Sequence, residues 1–407
     1  MKLARLGDVT ESMKNGLYKP ASEYGEDGLP CLRMYNIDAG GIVWRDIKRM
    51  RVSNEERDDY GLRAGDLLVN RVNSRELVGK TAVIPLNMEP SVFESKNIRL
   101  RLKADRARPK FINYQLLAGG RSYFAGNAQQ VVGMASVSQT QLADFPIVLT
   151  DLGTQDNIVA EIEKQFSRLD EAVANLKRVK ANLKRYKAAV LKAAVEGRLV
   201  STEGPRTHAE LGDIALSIRN GYSKKPDAEH GTRIFRISAV RPMELNTNDV
   251  RYLSGEPSDY ESFLVEAGDV LFTRYNGSRD YVGVCALVPP NLPPTVYPDK
   301  LIRVRVPHAT LLPKFLVIAA STGRAREYLE SKIRTTAGQS GISGGDLKAI
   351  PLAIPTLTEQ HQIVAEVDRR LSFVNEVEGG VDANLKRAER LRQSVLSTSF
   401  NGGSPEA

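Results

Sequence analysis

The chain has 407 residues, 42% of them hydrophobic, so it is long enough for two or three domains that each bury a core. No apolar run approaches the roughly 20 residues that span a bilayer, and the N-terminus lacks the apolar segment of a signal peptide, so we expect a cytoplasmic protein without a membrane partner. The net charge of +8 and the pI near 9.3 favour an acidic partner, nucleic acid first, although a moderately basic protein without such a partner has the same balance.

Residues 1–150 are predicted to form the first domain. They contain short β-branched or alternating runs separated by Gly, Pro and Asn, a pattern typical of strands and turns, and a helical segment follows Phe111. We expect a mixed α/β (α+β) globule that is built mainly on a sheet.

A long spacer helix is predicted over residues 151–200, because apolar residues recur every seven positions there. Asp151 matches an N-cap, and Gly197 matches a left-handed residue at the helix end. About 44 residues at 1.5 Å each give a rod of roughly 65 Å. The predicted seam has one row at Ile162, Leu169, Leu176, Leu183 and Val190, and a second row at Ile158, Ala172, Val179, Tyr186 and Ala193.

The second half of this helix is strongly basic, and its cations face only Glu196. A solvated helix face is the usual cause of such a run. A helix that lies along a DNA backbone is the alternative. The cations are Lys177, Arg178, Lys180, Lys184, Arg185, Lys187, Lys192 and Arg198.

The second half of the chain repeats the first. Gly65 begins GDLLVNRVNS and Gly268 begins GDVLFTRYNGS, while Asn15-Gly16 returns as Asn220-Gly221. The repeat predicts a second domain over residues 205–355. Cys31 and Cys285 do not occupy matching positions, which argues against both a disulfide and a thiolate metal site.

A second long helix is predicted over residues 356–402. Thr356 and Glu359 have capping-box spacing, and Gly402 matches the end. Gly379-Gly380 should weaken or bend the helix by about a kcal/mol or two. Two matched helices predict an antiparallel coiled coil and a pseudo-twofold axis. The second seam is predicted at Ile363, Val367, Val374, Val377, Val381, Ala388, Leu391 and Val395.

Motifs for catalysis are incomplete, so no catalytic residue, metal site or resident cofactor is predicted. Gly79-Lys80-Thr81 lacks the earlier glycine of a phosphate-binding loop, because Ser74 stands there. The four histidines are scattered, which leaves no basis for a triad or a zinc cluster.

Long polar side chains in loops of both domains suit DNA, because arginine can bind guanine and asparagine can bind adenine in the major groove. A surface turn with salt bridges is the alternative at each position. The candidates are Asn15, Tyr18, Lys19, Arg33, Arg71, Asn73, Ser74, Arg75, Gln129 and Gln130 in the first domain, and Asn220, Tyr222, Lys224, Lys225, Arg236, Arg274, Tyr275, Asn276, Ser278, Arg279, Gln339 and Ser340 in the second.

This arrangement resembles the specificity subunit of type I restriction-modification systems. The resemblance is carried by the Leu-Gly-Asp starts at Leu6 and Leu211, the Gly-Asp strands, and the Gln-x-x-Ile-Val-Ala-Glu helices at Gln155 and Gln360. It implies that each domain is a target recognition domain for half of a split sequence in double-stranded DNA. It also implies that the helices dock two modification (methyltransferase) subunits, and that restriction (endonuclease) subunits complete the complex.

The resemblance further implies that S-adenosylmethionine, ATP and Mg²⁺ bind to the partner subunits and that this chain is not itself an enzyme. Two alternatives of other classes remain open at this point. One is a stand-alone DNA nuclease or methyltransferase, and the other is a coiled-coil scaffold whose domains bind protein or glycan.

Overall fold

The computed structural model describes residues 1–131, 133–200, 204–336 and 338–401, without the side chains of 129–131 and 401. The chain forms two compact units: Met1–Leu176 with the stretch that begins at Ala383, and Lys177–Asp382. Gly402, the predicted helix end, lies outside the described residues. Within the described ranges, no helix combines the length and the apolar character that a membrane span requires.

The first unit mixes strands and helices, which confirms the predicted fold class. Its strands β1–β14 are Lys2–Arg5, Thr10–Asn15, Tyr24–Leu32, Ile37–Asp38, Gly41–Ile42, Lys48–Met50, Leu67–Asn70, Val72–Asn73, Thr81–Val83, Val92–Phe93, Asn97–Leu102, Gln129–Val131, Met134–Ser136 and Pro146–Leu149. Its short helices α1–α4 are Asn54–Tyr60, Pro109–Gln115, Arg121–Asn127 and Gln139–Ala143. The first long helix, α5, spans Leu152–Val195.

The second unit repeats the strands in the same order, but its first short helix follows its first strand, whereas α1 follows β6. Its strands β15–β28 are Thr207–Glu210, Ser217–Asn220, Thr232–Phe235, Val240–Arg241, Glu244–Leu245, Val250–Leu253, Val270–Thr273, Tyr275–Asn276, Cys285–Leu287, Thr295–Val296, Leu301–Arg305, Arg334–Thr336, Gln339–Gly341 and Pro351–Ile354. Its short helices α6–α9 are Leu211–Ile214, Pro313–Ala320, Gly323–Lys332 and Gly344–Lys348, and the second long helix, α10, spans Leu357–Asn401.

The sheets of the two units correspond strand for strand. A four-stranded sheet has the order β2-β11-β7-β9 in the first unit and β16-β25-β21-β23 in the second. Three-stranded sheets follow the same rule, with β10-β3-β6 matching β24-β17-β20 and β12-β13-β8 matching β26-β27-β22. The internal repeat that the sequence predicts is therefore confirmed.

The four-stranded sheet of each unit is covered on both faces, which explains its nearly continuous apolar strands. Leu67 and Val69 pack in the core that includes the helices, whereas Leu68 packs with Leu32 and Phe93 of the other layer. In the second unit, Val270 and Phe272 likewise pack in the core on the helix side of the sheet, whereas Leu271 packs on the opposite face.

The repeated Gly-Asp pair is structural. Gly65 and Gly268 have positive φ angles of 86° and 93°, which favour glycine. Asp66 accepts a hydrogen bond from Nε of Arg101 (3.0 Å), and Asp269 accepts one from Nε of Arg305 (2.6 Å). The shared Ile-Arg-x-Arg strands therefore serve the sheet.

The first long helix is fastened to its own domain by Gln155, which is fully buried. Its Oε1 accepts from the backbone N–H of Arg108 (2.8 Å), and its Nε2 donates to the carbonyls of Arg106 (3.0 Å) and Thr150 (2.8 Å). Asp151 accepts from the backbone N–H of Thr154 (2.9 Å), which confirms the predicted N-cap.

Gln360 repeats this attachment in the second unit. Its Oε1 accepts from the N–H of Leu312 (2.8 Å), and its Nε2 donates to the carbonyls of Thr310 (2.9 Å) and Pro355 (3.0 Å). The capping box of Thr356 is also confirmed, since its N–H donates to Glu359 at 3.0 Å. Each long helix is thus held to its own domain by a buried glutamine amide with an equivalent set of hydrogen bonds.

The two long helices pack against each other antiparallel. In the first unit, Asp170 of α5 pairs with Arg392 of α10 at 2.6 Å. In the second unit, Lys180 pairs with Asp382 and Lys187 with Glu378, both at 2.6 Å. The residue number rises along α5 while it falls along α10, as an antiparallel coil requires.

The first predicted seam row is confirmed, since Ile162 and Val190 are buried and the other three members are half-buried. The second row is wrong at Ala172, Val179 and Tyr186, which are exposed. Its place is taken one residue further along by Phe166, Val173, Lys187 and Ala194. The seam therefore advances by four and then three residues, because that spacing directs the second row toward the packed side of the helix.

The predicted seam of α10 is confirmed at Ile363, Val367, Val374, Val381, Ala388 and Val395, which are buried or, for Val395, packed on the core. Leu391 is 43% exposed, so its assignment is wrong, and Leu396 is buried instead. The helix runs without interruption through Gly379 and Gly380, which are both exposed.

Candidate nucleic-acid interface

In the first unit, the loop after Asn15-Gly16 is held between two other segments by backbone hydrogen bonds. A Cβ on Gly16 would lie 2.4 Å from the carbonyl oxygen of Phe93, so only glycine permits this approach. The bonds run from the N–H of Leu17 to Phe93 (2.9 Å), of Ser95 to Leu17 (2.8 Å), of Arg71 to Lys96 (2.8 Å) and of Val137 to Arg71 (2.8 Å).

The second unit has the same set of backbone hydrogen bonds, and we call this set the frame. Gly221 lies against Tyr297 as Gly16 lies against Phe93, with a Cβ distance of 2.3 Å to the carbonyl oxygen. The bonds run from the N–H of Tyr222 to Tyr297 (2.8 Å), of Asp299 to Tyr222 (2.8 Å), of Arg274 to Lys300 (2.8 Å) and of Ile342 to Arg274 (3.0 Å). These bonds make Arg71 equivalent to Arg274, Lys96 to Lys300, and Ser95 to Asp299.

A basic pocket of about 590 Å³ opens in this frame of the second unit. Among the described residues that line it, Asp299 is the single acid. Phe235 is buried in its wall. The cations that line it are Lys224, Lys225, Arg236, Arg251 and Lys300, so the pocket attracts a polyanion.

The acidic residues near this pocket differ in whether their carboxylates form ion pairs or hydrogen bonds within the protein. Asp249 lies 3.5 Å from Arg236, in a loose ion pair. Asp227 accepts from the backbone N–H (3.0 Å) and the hydroxyl (2.9 Å) of Ser254, and these hydrogen bonds lower the pKa of its carboxyl. The Asp299 carboxylate, in contrast, has no hydrogen-bond or ion-pair partner in the described part of the chain.

The chain is similar along its length to known proteins. It is 30% identical to the type I restriction enzyme EcoKI specificity subunit of Escherichia coli K12, over 98% of this chain and 88% of that one. The chain belongs to the family of type I restriction enzyme specificity subunits. No protein-family model matches it.

Solved structures of type I systems share the fold of this family member. A chain from a structure that describes complex assembly and conformational transition of a type I restriction-modification system has a TM-score of 0.73 at 17% identity, over 99% of this chain and 98% of that one. The HsdS subunit from Thermoanaerobacter tengcongensis has a TM-score of 0.55 at 17% identity, over 99% and 97% of the two chains.

Two further candidate segments of this specificity subunit, far apart in sequence, meet in one small sheet in each unit. Strand β8, which holds Val72 and Asn73, pairs with β13, and β13 pairs with β12. In the second unit, β27 with Gln339 joins β22, which follows Arg274, to β26. The side chains of Gln129 and Gln130 lie outside the described part of the chain.

Sequence reasoning missed Arg334 and Thr336, which lie on β26 beside the predicted candidates. They line a smaller pocket of about 270 Å³ with Tyr275, Gln339 and Asp346. The alignment of the two halves carried the signal, because Arg334 occupies in β26 the place that Gln129 occupies in β12.

The equivalent arginines of the frame are half-buried and held in place. Nε of Arg71 and Nε of Arg274 are both buried without a hydrogen-bond partner among the described residues. The Arg274 guanidinium lies over the ring of Tyr275 at 4.6 Å and reaches the carbonyl of Asp299 at 3.4 Å. The frame therefore fixes the backbone of both arginines, and contacts with Tyr275 and Asp299 hold the side chain of Arg274.

Three predicted contact residues are engaged within the protein instead. Nζ of Lys19 donates to Glu56 at 2.6 Å. Asn73 is buried and donates to Asn70 at 2.9 Å, and Ser340 is buried with its hydroxyl 2.9 Å from that of Thr335. The prediction that these three side chains face a ligand is corrected, because their polar groups are satisfied locally.

The other predicted residues with described side chains are exposed or half-buried. Arg75 and Arg279 each also donate to a backbone carbonyl of their own unit, of Ala125 (3.1 Å) and Glu330 (3.0 Å). The set is Asn15, Tyr18, Arg33, Arg71, Ser74, Arg75, Asn220, Tyr222, Lys224, Lys225, Arg236, Arg274, Tyr275, Asn276, Ser278, Arg279 and Gln339. Within the described ranges, no group of three His, Cys, Asp or Glu is placed to hold a metal.

Proposed function

We propose that this specificity subunit reads a bipartite site in double-stranded DNA, with each unit binding one half-site. The observation that carries the proposal is the common backbone frame, which presents Arg71 and Lys96 in one unit and Arg274 and Lys300 in the other. Cations at fixed positions suit the phosphate backbone, which is the same in every sequence. Side chains that differ between the frames suit two different base sequences.

The long helices supply a docking face for methyltransferase subunits. In the second unit, Val179 (40% exposed), Tyr186 (44%) and Phe373 (63%) are apolar side chains outside the seam. Exposed apolar side chains on a helix pair suit a further helix of a partner. The antiparallel pair also sets the unread gap between the half-sites.

We place the chemistry on the partners. Methyl transfer needs S-adenosylmethionine and cleavage needs ATP and Mg²⁺, all of which we assign to the methyltransferase and endonuclease subunits. The complex acts in the cytoplasm, where foreign DNA enters. This chain then supplies recognition without catalysis.

The test is to sequence the DNA of the native host for modified adenine with and without this gene. Loss of one split motif is the expected result, and it reveals both half-sites. A purified complex should also bind a duplex with that motif, with an affinity that falls steeply as salt rises. Purified chain that cleaves or methylates DNA without partners would contradict the assignment of the chemistry.

A further inference from the structure

Ser95 and Asp299 occupy the same place in the two frames. Each donates its backbone N–H to the loop that follows the Asn-Gly pair, Ser95 to Leu17 and Asp299 to Tyr222, both at 2.8 Å. The next residue is a lysine in both units, and it accepts from the equivalent arginine. The backbone is therefore shared, and what differs is a hydroxyl in one unit and a carboxylate in the other.

The cations beside this position are constant, although Glu94 precedes Ser95 where Pro298 precedes Asp299. In the first unit Lys96 follows it and Arg71 lies beside it. In the second unit Lys300 and Arg274 occupy the equivalent places, and each pair belongs to the frame of its own unit. Constant cations fit a constant ligand group, the phosphate. A position that changes from hydroxyl to carboxylate within this constant setting fits the part of DNA that changes, the base edges.

The setting of Asp299 makes its carboxylate unusual. It is half-buried in a pocket lined by five cations and forms no ion pair within the described residues. A carboxylate is acceptor-only, and it repels the phosphates that the surrounding lysines attract. On DNA, the donors it can accept from in the major groove are exocyclic amino groups, N4 of cytosine and N6 of adenine.

We propose that positions 95 and 299 are matched specificity-determining positions, and that Asp299 accepts a hydrogen bond from the exocyclic amino group of a cytosine or adenine in the half-site of the second unit. The proposal rests on the proposed function, since it requires that this pocket faces DNA. At position 95 the hydroxyl of Ser95, which both donates and accepts, discriminates less strongly.

The experiment is a selection from a pool of random DNA duplexes, with the full chain in complex with its methyltransferase subunits. Wild type is compared with Asp299→Ser, which installs the residue of the other unit, and with Lys300→Ala as the matched control. In Asp299→Ser, the preference for cytosine or adenine over the other bases should fall by about tenfold at one position of one half-site. Lys300→Ala should weaken all sequences alike and lower the salt dependence by about one charge.

Ser95→Asp tests the matched position. It should create a preference for cytosine or adenine at one position of the opposite half-site. Thermal unfolding of each variant checks folding, and Asp299→Ala, which removes every side-chain acceptor, should relax the same base position as Asp299→Ser.

Three outcomes would overturn the proposal. A uniform rise in affinity of Asp299→Ser for all duplexes would show that the carboxylate only repels phosphate, while the bipartite specificity of wild type would still stand. Changes in both half-sites from one substitution would refute the matched positions. A wild-type complex that selects no sequence would remove the proposed function together with this inference.

Discussion

At the scale of single residues, Gln155 and Gln360 join the two kinds of element in this chain. Each is fully buried, and each makes three hydrogen bonds to the backbone of the domain that its helix leaves. A buried backbone group that loses its partner costs about 1–3 kcal/mol. One amide therefore controls several otherwise unsatisfied groups.

Substitution of Gln155 by Ala should lower the free energy of unfolding by about 2–4 kcal/mol, because it leaves the N–H of Arg108 and two carbonyls without partners. Urea unfolding of the full chain measures this effect. Gln362→Ala, two residues after Gln360 on an exposed face, is the control and should change the free energy by less than about 0.5 kcal/mol. Equal effects would contradict the anchoring role.

The two cysteines should be inert in the native protein. Burial raises the pKa of both the Cys31 and the Cys285 thiol to about 12, against about 8.5 in an unfolded chain. At pH 8 the native thiolate is then scarce, and reaction with a disulfide reagent should be slow until denaturant is added. The stabilisation that the protonated thiols provide is complete below pH 8.5 and is lost as the pH rises toward 12. Fast native reaction at pH 8 would refute this.

At the scale of elements, the long helices show what the heptad pattern predicts and where it fails. The N-terminal caps and the first seam row follow from local chemistry, and the structure has Asp151, Thr356 and the row of Ile162 where the sequence predicts them. The second row was not, because Val179 and Tyr186 are as apolar as residues that pack. Their exposure depends on the direction from which the partner helix packs. The spacing of apolar residues in one helix does not determine that direction.

Adjacent residues of α10 give a direct test of this register. Val374→Ala should lower the free energy of unfolding by about 2 kcal/mol, since Val374 is 1% exposed in the seam. Phe373→Ala should leave stability within about 0.5 kcal/mol, because Phe373 is 63% exposed. Co-purification should show the reverse order, with Phe373→Ala weakening the association with methyltransferase subunits. The same stability loss for both would show that the register is wrong.

At the scale of the whole molecule, the repeat predicts independent half-sites. Replacing residues 1–150 with the corresponding domain of another family member should change one half of the methylated motif and keep the other half and the gap. Methylation sequencing of cells that carry the chimaera measures this. A chimaera that changes both halves would refute the modular arrangement.

The sequence contains the repeat and the family, but only part of the candidate site. The offset between the halves brings Gly65 against Gly268 and Asn15 against Asn220, and the structure keeps both matches. It does not show that Lys19 is neutralised by Glu56, or that Asn73 belongs to a buried amide network. Such pairings join segments that are distant along the chain, so residue type alone could not separate them from true surface residues.

The buried glutamines also bear on the accuracy of spacing. Because B-DNA turns by about one tenth of a revolution per base pair, a domain that swivelled on its helix would meet bases at neighbouring phases as readily as at its own. Three hydrogen bonds at Gln155, with the ion pair of Lys110 and Glu163 about two turns further along the helix, fix the rotation of the first domain about its helix. The number of unread base pairs between the half-sites would then be kept constant by the rigid attachment of the domain to its helix, and not by any residue that touches DNA.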